Sequence, residues 1–183
     1  MKLKLIDIIV IAMFTAIVFT VEQAISFIPN IQLTVFFFIL YTRLLGFKKT
    51  MIIVFIHTIA DNLYVGPFNP LFIIPMLIAW SLIPITLSTV FKKFKSANSL
   101  AIFAFVFGFV YGWIFAPFTA YYWDIDIIPY LIADLPWEFA MGLSGALSVA
   151  LLYEPVYSFL SEQPYFGTDS KSYALEKKEG PFI

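Results

Sequence analysis

The sequence contains no cysteine, which excludes a disulfide framework, thiolate metal sites and cysteine nucleophiles. It has a single histidine, and one imidazole without thiolates argues against a dedicated transition-metal site. Charge is scarce: 13% of residues are charged, against about 25% in soluble domains. No Ser-His-Asp arrangement, HExxH or GxSxG motif is present. Without a glycine-rich phosphate loop, the chain does not hydrolyse ATP in the P-loop manner. No basic aromatic patch points to nucleic acid, and no cofactor is expected.

What is abundant is apolar. Hydrophobic residues make up 61% of the chain, in long runs broken by short polar punctuation, so lipid is the main solvent. The first run lacks a small-residue cleavage site and is read as a helix, not a signal peptide. A spanning helix needs about 20 apolar residues, and six such segments are predicted. They run from Leu5 to Phe27, Ile31 to Leu45, Thr50 to Val65, Pro70 to Phe91, Ser99 to Tyr121 and Pro129 to Leu160. The second and third are short, and Gly46 is read as a C-terminal cap between them.

The basic residues orient this bundle. All 11 Lys and Arg fall in four places: Lys2 and Lys4; Arg43, Lys48 and Lys49; Lys92, Lys93 and Lys95; Lys171, Lys177 and Lys178. With six spans all four lie on one side, which the positive-inside rule makes cytoplasmic. The expected fold is therefore an all-α polytopic membrane protein, residues 1–161 forming one six-helix domain with both termini in the cytoplasm. Residues 162–183 read as a polar, solvated cytoplasmic tail.

Ionisable groups at membrane depth are costly and mark candidate sites. Glu22 stands in the outer half of the first span with Gln23 beside it. His57 and Asp61 share a face of the third, four residues apart, with Asn62 and Tyr64 nearby. Asp134 and Glu138 repeat that spacing in the sixth, around Trp137. Asn30 and Gln32 border the first outer loop, and Trp123 ends the fifth span. Together these acids, amides and aromatics outline an outward-facing cavity suited to cationic or amide-rich ligands, since no Lys or Arg is available there to meet an anion. Bland readings stand beside this. Tyr121, Tyr122 and Trp123 fit an interface belt equally well, Asp134 fits a helix cap, and His57 with Asp61 fits a pair that holds the third helix in place. Gly108-x-x-x-Gly112 and Ala12-x-x-x-Ala16 are small-residue spacings that bring helices close.

The chain resembles the substrate-binding S components of energy-coupling factor (ECF) vitamin transporters. The likeness rests on the small six-helix topology and on Ala12-x-x-x-Ala16 in the first helix. It also rests on Pro29-Asn30-Ile31-Gln32-Leu33 before a short helix ending Gly46-Phe47-Lys48-Lys49, and on Ala133-Asp134-Leu135-Pro136-Trp137-Glu138 opening the last helix. The resemblance implies a non-enzymatic subunit in the bacterial plasma membrane that binds a water-soluble vitamin near its outer face. It also implies Ala12 and Ala16 as contacts to a transmembrane coupling subunit, with two ATPase subunits driving uptake. Cobalamin is slightly favoured as cargo, with a thiamin- or pyridoxine-like compound next. A scaffold without ligand, or an intramembrane enzyme using Asp61 and Asp134, are the competing classes.

Overall fold

The computed structural model describes residues 3–166, and within them all regular secondary structure is helical. Five helices follow in order: α1 (Leu5–Ile25), α2 (Thr34–Val65), α3 (Pro70–Ser88), α4 (Ala97–Trp123) and α5 (Ile127–Ser161). Four of them, α1, α3, α4 and α5, are long and apolar enough to cross a membrane. The chain is thus a multi-pass membrane protein by construction of its helices.

The predicted second and third spans appear as the single element α2, with no loop between them. Its backbone leaves helical geometry only at Gly46, at φ 76° and ψ 172°. That break reverses the chain. The rings of Phe38 and His57 lie 5.4 Å apart, whereas a straight helix would separate these residues by about 28 Å. Gln32, just before the first rod, and Val65, at the end of the second, line the same recess. A turn this tight is possible because the conformation at Gly46 is essentially reserved for glycine. Thr50 also donates from Oγ1 to the Gly46 carbonyl at 3.0 Å, satisfying an acceptor at the break. Lys48 and Lys49, expected in a loop, begin the returning rod instead.

Replacing Gly46 with alanine is expected to cost ~1–3 kcal/mol, read as a lower unfolding temperature in detergent. Nothing lies within 4 Å of the added methyl, so the whole effect is backbone strain. An unchanged unfolding temperature would mean that the reversal does not depend on glycine.

The first rod of α2 is short, about 18 Å for its 12 residues before Gly46. It runs through the middle of the bundle, and Thr34, Val35, Phe36, Phe38, Ile39, Leu40, Tyr41 and Thr42 are all buried. The other helices pack around α2, and α4 and α5 form the most extensive pair. Their seam is backbone on backbone: a Cβ at Gly108 would lie 2.5 Å from the Gly142 Cα. An aromatic cluster fills the centre, with Trp80 packed on Phe38 at 5.3 Å and on Tyr111 at 4.8 Å.

The described basic residues gather at one end. Arg43 donates to the carbonyls of Leu87, Phe91 and Phe94 and so caps the end of α3. Lys49 Nζ meets Asp7 Oδ1 at 2.7 Å and the Tyr165 hydroxyl at 2.8 Å. Tyr165 in turn donates to Asp7. Burial and that hydrogen bond push the Tyr165 phenol above its ordinary pKa, which keeps it a donor. Phe166 packs edge-on against Phe14 at 6.0 Å. The beginning of the segment read as a free polar tail is therefore folded back onto α1 and α2. Lys2, Lys171, Lys177 and Lys178, and the remainder of that segment, lie outside the described residues.

Candidate functional site

At the opposite end three recesses adjoin one another. The first, of about 280 Å³, lies between the outer turn of α1 and the returning rod of α2, and Glu22, Gln23, Asn30, Gln32 and Asp61 line it. The second, of about 390 Å³, continues from Asp61 past Asn62 to Asn69, Phe72 and Tyr122. The third, of about 170 Å³, lies between α4 and α5, lined by Gly112, Phe115, Tyr130, Asp134, Trp137 and Glu138. Asn30 and Tyr111 belong to both the first and the third.

The recesses exist because the central rod is short. Since the rod starts only at Thr34, the preceding loop is drawn down into the bundle. There Ser144, midway along α5, accepts from the Gln32 amide and donates to the Asn30 carbonyl, each at 3.4 Å. Asn30 adopts the left-handed conformation (φ 57°) that this sharp loop requires, and asparagine tolerates it better than most residues. Space that a full-length rod would occupy is left open above.

Polar partners across helices hold the walls. Glu22 Oε2 lies 2.8 Å from His57 Nε2, although off the line of a ring N–H, so the contact is close without being an aligned hydrogen bond. His57 is fully buried. Gln23 donates from Nε2 to Asp61 Oδ1 at 2.7 Å. Asn62 donates to the Thr58 carbonyl at 2.9 Å and rests on Met76 Sδ. Asn69 caps α3, accepting from the Leu71 amide at 3.0 Å. The reading of His57 and Asp61 as a mutual pair is thus corrected: each turns to a different residue of α1.

Glu138 is different. It is 3% exposed, and neither carboxylate oxygen has a hydrogen-bond partner. The Trp113 indole stands beside it and stops short of bonding geometry. The side chain lies over Gly112, where an added Cβ would stand 2.4 Å from Oε1. Asp134, one turn earlier, has the Tyr130 hydroxyl beside it and lies well inside α5, so it is not the helix cap; that position is Asp126.

Of the residues singled out in the sequence, Glu22, Asn30, Gln32, Asp61, Asn62, Asp134, Trp137 and Glu138 line the recesses. His57 stands behind them in the core. Tyr64 and Trp123 line none of the three: Tyr64 is 67% exposed and packs on Phe19, and Trp123 is 63% exposed beside Tyr122. Both are on outward surfaces, as belt aromatics would be. Asp61 and Asp134 line separate recesses. Tyr111 was missed. It is half-buried, its ring stacks on Phe115 at 4.7 Å, and it separates the first recess from the third. The only signal for it in the sequence was its place beside Gly112.

Among the described residues no group of three His, Asp or Glu side chains could hold a metal ion. Comparisons with protein-family models, curated proteins and solved structures found no match to this chain.

Proposed function

We propose that this chain is the substrate-capturing S subunit of an ECF-type transporter. It would bind a small water-soluble vitamin at the acidic end of the bundle and hand it inward, with ATP hydrolysis confined to two partner ATPases. In this reading the two rods of α2 and the other four helices make six spans of the plasma membrane. Both termini and the basic end then face the cytoplasm. The observation that carries the reading is the set of adjoining recesses, furnished with acids, amides and aromatic faces, at the end of the bundle away from the described Lys and Arg residues. A binding site for a small polar molecule has this composition.

The volumes bear on the cargo. The recess of about 390 Å³ falls within the roughly 300–1,000 Å³ range of sites for single small ligands, and those of about 280 and 170 Å³ lie below it. They favour a thiamin- or pyridoxine-sized compound over cobalamin, a molecule several times larger.

The direct test is mass spectrometry of small molecules released from protein purified in mild detergent, followed by calorimetry with each candidate vitamin. A stoichiometric vitamin is expected. Protein that emerges empty and binds none of the panel would instead favour a scaffold that only organises other membrane subunits.

A further inference from the structure

We propose that the substrate is an organic cation whose positive centre sits against the Glu138 carboxylate, in the recess between α4 and α5; this rests on the capture reading above. The argument begins with the acids at that end of the bundle. Glu22 has His57 at 2.8 Å. Asp61 has the Gln23 amide at 2.7 Å, and Asp134 has the Tyr130 hydroxyl. Glu138 is almost completely buried, and neither of its oxygens makes a hydrogen bond, the Trp113 indole beside it falling short of bonding geometry. A buried carboxylate without a partner is strongly unfavourable, and none of the three recesses has Lys or Arg in its lining. No positive charge of this chain reaches the carboxylate in its ionised form, so its counter-charge would come from outside the chain.

The surroundings suit such a charge. Tyr111, Phe115 and Trp137 line the recess with aromatic rings, which attract a cation electrostatically once water has been excluded. At about 170 Å³ the recess admits one ring or one substituted ammonium group. The rest of the molecule would pass Asn30 and Tyr111 into the neighbouring recess. Gly112 is part of the arrangement, because any side chain there would displace the carboxylate. The two glycines of Gly108-x-x-x-Gly112 therefore have separate tasks: Gly108 lets the α5 backbone approach, and Gly112 gives Glu138 its place.

The experiment uses the full chain in detergent and three sets of probes in calorimetry. Thiamin, pyridoxamine and 1-methylnicotinamide are cationic, pyridoxine and nicotinamide are uncharged, and pantothenate and nicotinate are anionic. At least one cationic probe is expected to bind, with uncharged and anionic ones about 30-fold weaker or more. Glu138→Gln is expected to weaken the cation by a similar factor, and Gly112→Ala to act in the same direction. The empty Glu138→Gln protein is expected to unfold at a higher temperature than the parent, because an uncompensated charge has been removed. A lower unfolding temperature would mean that Glu138 is a structural residue and would overturn the proposal. So would tight binding of an uncharged or anionic probe that Glu138→Gln leaves untouched, although capture itself would then stand. If no probe of any class binds and the purified protein carries no small molecule, the capture reading falls and this inference falls with it.

Discussion

Gly108→Val is expected to leave no correctly assembled bundle. Even a methyl at this position would sit 2.4 Å from the Gly142 nitrogen, 2.5 Å from its Cα and 2.9 Å from the Glu138 carbonyl oxygen. All three are backbone atoms of α5, so no rotamer change can relieve the clash, and the helices must separate along their seam. In lipid this is especially damaging, because helix association there depends on close packing with little hydrophobic driving force behind it. Overpacking in ordinary cores costs about 1–3 kcal/mol. A clash against rigid backbone belongs above that range, a large fraction of a total stability of about 5–15 kcal/mol. Gly142→Val should behave alike, since its Cβ would meet the Phe105 carbonyl at 2.5 Å. Gly145 provides the control. Its nearest neighbours stand 3.6 Å away, so Gly145→Ala should be tolerated. Size-exclusion chromatography in mild detergent distinguishes them: a monodisperse peak for Gly145→Ala and none for Gly108→Val. A well-behaved Gly108→Val protein, unfolding within a few degrees of the parent, would show that the seam can open without loss.

How much of this was legible beforehand depended on which physical quantity the residues report. The four long helices were visible because length and hydropathy are local properties of a segment. The reversal inside α2 was visible only in outline, as a glycine followed by lysines. Nothing in composition distinguishes a capped loop from a single glycine that turns a helix back on itself. Glu22, Asp61 and Glu138 stood out because each is a carboxylate in an apolar run, where its cost demands a reason. Their partners did not. The four-residue spacing of His57 and Asp61 places both on one face of a rod, yet it cannot say which neighbouring helix that face meets, and the answer was α1 for both. Tyr64 and Trp123 were misplaced for a related cause, since an aromatic at the membrane interface and one in a binding pocket have the same sequence context. Tyr111, conversely, lay unnoticed among the many aromatics of α4.

Ala12→Trp is expected to abolish uptake in cells while leaving ligand binding by the purified protein unchanged. Ala12 and Ala16 are exposed along α1, with Met13 (57% exposed) and Ile17 (43%) beside them. The opposite face of α1, with Ile11, Phe14, Thr15 and Val18, is the one turned into the bundle. A tryptophan at Ala12 thus projects away from the fold, clashes with nothing inside it, and belongs with surface changes that alter stability by less than about 0.5 kcal/mol. It also stands about 15 Å along the helix from Glu22, too far to disturb the recesses. What it does change is the surface that a coupling helix would meet, where two alanines one turn apart permit close approach and an indole prevents it. Transport that depends on docking at this stripe should fall to background, and Ala16→Trp should do the same. The combination of measurements is what decides. Lost uptake with intact binding identifies the stripe as the docking surface. Undiminished uptake by both variants would show that this face of α1 meets only lipid, and the contact with the coupling subunit would have to be sought on another helix.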